Sequence, residues 1–265
     1  MNRPFLVLKC GGSTMEQLPD SFFAAIADLQ QSGQPLAIVH GGGPAINALL
    51  SLLQIPARFV DGLRVTCEQT MQVVEMVLGG SINKQLVRRI HQAGGRAWGV
   101  SGVDGALLTA RRTEKPLGLV GEIEQVDTAV IRAILQGGYV PVIAPLAVSR
   151  DGGICYNVNA DIAAGAIAAA LQAEKLLMIT DVPGILGTDE DGGKTLLRET
   201  SPDQIKAMIA AGDIYGGMIP KVKAALDALK QGVKEVVICQ GTAETLRDAC
   251  AGKQTGTSVK GVVVA

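Results

Sequence analysis

The chain has 265 residues, 24 Lys and Arg against 25 Asp and Glu, 48% hydrophobic residues, 33 glycines, five cysteines and two histidines. That length and apolar content exclude a disordered chain and one that needs a metal or disulfide staple to fold, and a formal charge of −1 leaves no overall basic field for nucleic acid. The cysteines are odd in number and scattered, with no CxxC pair, which argues against a zinc site or disulfide framework and for a reducing compartment.

Phe5 to Lys9 reads as a strand, an apolar run ended by a lysine and too short for the core of a signal peptide. Phe22, Phe23, Ile26 and Leu29 then recur on one helical face. Leu36 to His40 is the next strand, followed by a helix that carries Ile46, Leu49, Leu50 and Leu53. Thr66, with Gln69 three residues on, has the pattern of a capping box that opens a long helix running to about Ala93. Beyond it come a strand from Ala97 to Val100, hairpins from Leu107 to Val126, a helix from Thr128 to Gln136 and an apolar strand from Tyr139 to Ala144.

The second half repeats the scheme. It has a helix from Ala160 to Leu171, a strand from Leu176 to Thr180, helices near Pro202 to Ala210 and Lys221 to Gln231, a strand from Val236 to Gln240 and a helix near Ala243 to Cys250. The longest apolar stretch, Ile162 to Leu171, is roughly half of the ~20 residues a membrane span requires, so a cytoplasmic protein without a membrane partner is expected. Alternating strands and helices predict an α/β fold, a three-layer αβα sandwich around an open, mostly parallel sheet. The boundary falls best near Gln172 to Lys175, giving lobes at 1–173 and 174–265 that share that sheet.

Several familiar motifs fail. Five residues separate Gly187 from Gly193-Lys194-Thr195 where a Walker P-loop needs four, and the acidic Thr188-Asp-Glu-Asp191 between them would repel phosphate, so the segment reads as a solvated hairpin turn. No GxGxxG follows the first strand, and two histidines leave little scope for a Ser-His-Asp triad or a zinc hydrolase.

Two glycine-rich loops do stand out, Lys9-Cys-Gly11-Gly12-Ser13 and His40-Gly41-Gly42-Gly43-Pro44, each directly after a predicted strand. Loops at the C-terminal ends of parallel strands are where ligands bind in open α/β sheets. Glycine lets backbone N–H groups approach an anion closely, and the following helix adds its positive end. Either loop alone reads equally well as a strand-to-helix turn. A lysine closing a buried strand is costly unless paired, and together the two loops point to phosphate chemistry.

Asn157-Val-Asn159-Ala-Asp161 precedes the Ala-rich helix, and Asp161 reads either as a cap or as a carboxylate that orients lysines. In Gly216-Gly217-Met-Ile-Pro220-Lys221 a cation sits just inside a helix, against the dipole unless an anion is present. Gly62-Leu-Arg64-Val-Thr66 places an arginine before a helix, suited to bidentate carboxylate recognition.

Taken with Thr180-Asp-Val-Pro-Gly184, these motifs run in order over nearly the whole chain and resemble the amino acid kinase family. The resemblance implies an N-terminal lobe for an acyl substrate and a C-terminal lobe for ATP, with Mg2+ held mainly by the nucleotide phosphates and no metal ligand of the protein's own. It implies a homodimer, and phosphorylation of the γ-carboxylate of N-acetyl-L-glutamate to an acyl phosphate, the second step of arginine biosynthesis. By the same resemblance Lys9 and Lys221 are transition-state stabilisers that Asp161 holds in place. Gly42, Gly43, Arg64 and Asn157 bind the acyl substrate, and Gly11 and Gly12 contact the transferring phosphate. The nucleotide lies against Asp181, Val182, Pro183, Gly184, Ile185 and Leu186 and against Asp213, Ile214 and Tyr215.

Chemistry fits this pattern independently. A carboxylate nucleophile with a reference pKa of ~4.3 is ionised at neutral pH and needs no general base, so a conspicuous catalytic histidine is not expected. What must be managed is negative charge, by lysines, helix N-termini, backbone N–H groups and Mg2+.

Two other readings stay open at this level. A kinase for carrier-bound aminoadipate or glutamate would present a longer substrate to the same pocket and favour a basic patch, for which Arg88-Arg89 and Arg111-Arg112 are candidates beside a plain solvated face. A catalytically silent nucleotide-sensing subunit would not need Lys9, Asp161 and Lys221 together. With eight residues before Lys9, the expectation is a dimer insensitive to arginine. Cys10 is expected to pack as a small hydrophobe rather than to sense redox state.

Overall fold

The computed structural model describes residues 3–188 and 193–261. An eight-stranded sheet crosses the whole molecule in the order Glu199–Thr200, Thr257–Lys260, Glu235–Gln240, Lys175–Thr180, Leu6–Cys10, Leu36–His40, Val140–Ala144, Ala97–Ser101. Every neighbouring pair runs parallel except Glu235–Gln240 with Thr257–Lys260. Helices cover both faces, which is why Leu36–His40 and Val140–Ala144 are buried at every residue and why Leu36 to Val39 and Val140–Ala144 read as unbroken apolar runs.

Side chains alternate across this sheet and divide the core in two. Leu6, Leu8 and Cys10 join one cluster with Phe22, Phe23 and Ile26, whereas Val7 joins the other with Ala163, Ala164 and Ile167 of the helix Ala160–Ala170. Period-two alternation puts Lys9 on the same face as Val7, beneath that helix. Leu6–Cys10 is also where the strand order reverses, with Leu36–His40 on one side and Lys175–Thr180 on the other. The crevice at its C-terminal end is therefore the topological switch point of the sheet.

The long helical run predicted up to Ala93 is continuous from Glu68–Glu75 through a π-helical turn, Met76–Ile82, into Asn83–Gln92. Its start differs from expectation. Cys67 is the N-cap and no capping box forms with Thr66, because the Thr66 hydroxyl donates instead to the Arg64 carbonyl at 2.9 Å. A capping box does open Pro202–Ala211, built from Ser201 and Gln204. The helix expected from Lys221 begins earlier, as Met218–Lys230, so Pro220 occupies the first turn, where its missing N–H costs nothing.

Three smaller pieces complete the fold. A four-stranded sheet is ordered Cys155–Asn157, Leu146–Val148, Leu108–Arg112, Gly121–Val126. A ribbon pairs Phe59–Val60 with Leu63–Arg64 across Asp61 and Gly62, whose φ of 50° and 77° are those of a tight hairpin turn. Leu186–Thr188 pairs antiparallel with Lys194–Leu196, the hairpin expected in place of a P-loop, and its acidic tip lies outside the described residues.

Candidate active site

At the switch point the two glycine loops meet backbone to backbone. A Cβ on Gly12 would sit 2.8 Å from the Gly42 nitrogen and 2.9 Å from that of Gly43, so no other residue fits at position 12 without moving the main chain. Gly43 has open space on its Cβ side. Gly12 begins the one-turn helix Gly12–Met15 and Gly43 begins Gly43–Leu52, so both loops present unpaired helix-start N–H groups to the same cleft.

That cleft has a volume of about 310 Å³. It gathers Lys9, Gly11, Gly12, Gly42, Gly43, Arg64, Asn157, Asp161 and Lys221, which are far apart in sequence. Lys9 Nζ lies 2.8 Å from Asp161 Oδ1. The contact is a close ion pair rather than an aligned hydrogen bond, since that carboxylate oxygen is buried with no hydrogen-bond partner. Asp161 sits in the first turn of its helix, and the cap is Asn159, whose side chain accepts from the Asp161 N–H at 2.8 Å. The Asp161 side chain is thereby left free for the lysine. Lys221 does not share it: its Nζ pairs at 3.2 Å with Asp181, whose carboxyl is held below the usual range by its own backbone N–H and then by the Lys221 ammonium.

Arg64 closes the other end. It is buried, stacks 4.7 Å from the Phe59 ring centroid and donates from Nη2 to the Gly43 carbonyl at 3.3 Å. Its Nη1 is buried with no partner at all. A guanidinium stays charged under such desolvation, so the unused N–H groups mark a place for an anionic group of a ligand. Burial lowers its pKa from the ordinary value. Asn157 is aligned beside it by donating from Nδ2 to the Thr66 hydroxyl at 3.1 Å.

The residues expected at the nucleotide, Asp181 to Leu186 and Asp213 to Tyr215, do not line this cleft; Asp181 connects to it through Lys221, and Val182 through Thr180, whose hydroxyl donates to the Val182 carbonyl at 2.8 Å and accepts from its N–H at 3.1 Å. Ile185 and Ile214 are core residues, so only their backbone is available to a ligand, while Tyr215 is 73% exposed. Phe59 and Leu78 were not anticipated as lining residues. The Asp61-Gly62 dipeptide was the available signal for the hairpin that carries Phe59. Cys10 is packed in the core with its thiol pushed up to about 12 by burial, which suits a small hydrophobe rather than a redox sensor.

The sequence pattern of the amino acid kinase family matches residues 4–240. The chain belongs to the amino acid kinase family. Its relatives include the acetylglutamate kinase of Brevibacillus brevis, 64% identical and covering 96% of each chain, and that of Geobacillus kaustophilus, 47% identical over 89% of this chain and 90% of the relative. A crystal structure of a Streptococcus mutans UA159 protein superposes with a TM-score of 0.83 at 32% identity, covering 97% of this chain and 98% of that one.

Proposed function

We propose that this chain transfers the γ-phosphoryl group of ATP to the γ-carboxylate of N-acetyl-L-glutamate. The observation that carries this reading is the pairing, in one small cleft, of an arginine with an unpartnered buried N–H and a double glycine cradle flanked by Lys9. An amino acid with two carboxylates suits both ends: Arg64 and Asn157 hold one, and the other meets the glycine loops. The cleft volume, about 310 Å³, is that of a small-metabolite site.

In the reaction the ionised carboxylate oxygen forms a bond to the γ-phosphorus as the bond to the β–γ bridging oxygen breaks, and ADP leaves with that electron pair. No proton moves, so no base is required. Lys9, steadied by Asp161, and Lys221, steadied by Asp181, neutralise charge on the transferring group, and the N–H groups of Gly11, Gly12, Gly42 and Gly43 add oriented dipoles. On this reading Mg2+ would come with the nucleotide phosphates. When bound, it neutralises phosphate charge.

On this reading residues 1–173 form the acyl-substrate lobe and 174–265 the ATP lobe, with the nucleotide over the loops at 181–186 and 213–215. Assembly as a homodimer belongs to the same reading and is supported by the resemblance, with Trp98 of the edge strand Ala97–Ser101 53% exposed. A cytoplasmic setting is supported by five free cysteines. Among the described residues, no helix is long and apolar enough to cross a membrane. Nothing favours a carrier-bound substrate, since neither arginine pair lines the cleft and Arg89 and Arg111 are tied to Asp20 and Glu122.

The test is trapping of acyl phosphate with hydroxylamine, run with Mg-ATP on N-acetyl-L-glutamate, glutamate, aspartate and aminoadipate derivatives. Hydroxamate is expected from N-acetyl-L-glutamate far above the others. Preference for an aminoadipate derivative, or no product from any of them, would overturn the assignment.

A further inference from the structure

His40 ends the second strand of the motif His40-Gly41-Gly42-Gly43, yet the phosphoryl transfer described above gives it no task. It is fully buried and does not line the cleft. Its Nδ1 lies 3.0 Å from the Gly41 carbonyl oxygen, and its Nε2 lies 3.2 Å from Nδ2 of the equally buried Asn83.

The hydrogen bonds around Asn83 leave one consistent assignment. Its Nδ2 also faces the carbonyl oxygens of Val142 at 2.9 Å and Val100 at 3.1 Å, while its Oδ1 accepts from Lys84 Nζ at 3.1 Å. Turning the amide over would set Oδ1 against two carbonyls, so the NH2 group faces Val142, Val100 and His40 and shares its two hydrogens among these three acceptors; an amide nitrogen cannot accept, so the ring carries no proton at Nε2. The proton of the neutral ring then sits on Nδ1 and is donated to Gly41. An imidazolium would place an Nε2–H against the Asn83 NH2, which the geometry forbids. Burial agrees, pushing the His40 pKa down to about 4.

The consequence reaches the cleft through one peptide plane. In a trans peptide the Gly41 carbonyl and the Gly42 N–H point in opposite directions, and the Gly41 N–H is itself fixed to the Cys10 carbonyl at 2.9 Å. Among the described residues the Gly42 N–H has no acceptor. The π-helical turn Met76–Ile82 supplies the frame: Leu78 and Ile82 press on Gly42, and Asn83 follows directly beneath His40. Such widened turns are a recurring device at functional sites. Gly99 completes it, since a Cβ there would collide with Asn83 Oδ1.

We propose that His40 and Asn83 are positioning residues for phosphoryl transfer: the ring, protonated on Nδ1 and held by the Asn83 amide, ties back the Gly41 carbonyl so that the N–H groups of Gly42 and Gly43 face the reacting carboxylate. This rests on the acyl-substrate reading of those two glycines. It asks nothing of His40 as an acid or base.

The chain has only two histidines, so the tautomer can be read directly by long-range 1H–15N correlation on protein labelled at histidine. The expected spectrum has His40 protonated at Nδ1 and bare at Nε2. In the kinetic arm, His40→Asn keeps an amide donor at the Nδ1 position and is expected to hold kcat/KM for N-acetyl-L-glutamate within threefold. His40→Gln moves the donor to the Nε2 position and is expected to lose at least thirtyfold, with the KM for ATP within twofold in both. Asn83→Asp is expected to move the His40 proton to Nε2 and to lower the same kcat/KM.

A wild-type ring protonated at Nε2 would overturn the proposal. So would His40→Gln with undiminished kcat/KM, or losses in His40→Asn equal to those in His40→Gln with the ATP KM rising in step, which is what a merely structural role produces. Failure of the wild-type protein to form hydroxamate from N-acetyl-L-glutamate would overturn the acyl-substrate reading and the positioning role with it, even with the tautomer as expected.

Discussion

The two sides of the cleft are built differently. On the side of the first two strands, main-chain loops abut at Gly12 and Gly42, Lys9 and Asp161 form a largely buried pair, and Arg64 is stacked and fixed with its Nη1 group to spare. On the side of the strand Lys175–Thr180, the Lys221–Asp181 pair is open to solvent, with Asp181 62% exposed in its side chain, and Tyr215 stands clear of the surface. A buried pair is strongly missed when one partner is removed, by about 3–5 kcal/mol, whereas an exposed pair contributes about 0–1 kcal/mol. On the proposed reading, the half assigned to the acyl substrate is assembled before ligand arrives, while the half assigned to the nucleotide is finished by the nucleotide itself.

The two sides should differ most at the lysines. Lys9→Ala and Lys221→Ala should each lower kcat by about a hundredfold or more, the effect of losing one oriented charge donor in a transition state. Only Lys9→Ala should also lower thermal stability, because it strands Asp161. Steady-state kinetics beside a melting curve check both, and an unchanged kcat at either position would remove that lysine from the chemistry.

Next come the glycines. Gly12→Ala drives a Cβ into the facing backbone and should destabilise the protein by about 1–3 kcal/mol with loss of activity. Gly43→Ala, with open space, should fold normally. Denaturant titration of the two variants decides the point. Arg64→Ala should raise the KM for N-acetyl-L-glutamate about tenfold to a hundredfold while leaving that for ATP within about twofold, since a charged hydrogen bond is worth about 1.5–3 kcal/mol. Arg64→Lys should recover little, because it lacks the planar fork.

A further effect is one of pH. The folded-state pKa of His40, about 4, lies below its ordinary 6.5. Between those values the unfolded chain binds more protons, so stability is complete above pH 6.5 and falls by about 1.4 kcal/mol per unit as pH drops toward 4. His40→Asn should flatten that part of the stability profile measured by chemical denaturation, and an unaltered slope would mean that His40 is not held neutral.

The sheet and its order of strands and helices were legible because fully buried parallel strands are written as continuous apolar runs, such as Leu36 to Val39. The cleft was legible because glycine loops and lysines sit at strand ends, where the fold places ligands. Thr257–Lys260 was not legible: Thr-Ser-Val-Lys carries a single large apolar residue and forms a strand because Glu235–Gln240 and Glu199–Thr200 pair with it on either side. The hairpin at Phe59 to Arg64 is too short for any periodicity. The partner of Lys221 and the pairing of His40 with Asn83 depend on contacts 40 and 43 residues apart along the chain, which no local pattern encodes.

The proposed acyl site, and its being formed before nucleotide binds, is tested most directly by calorimetric titration of N-acetyl-L-glutamate into nucleotide-free protein. One saturable site per chain is expected, its affinity within about threefold of that measured with a non-hydrolysable ATP analogue present and at least tenfold weaker in Arg64→Ala. Binding that appears only once nucleotide is bound, or that is indifferent to Arg64, would contradict it.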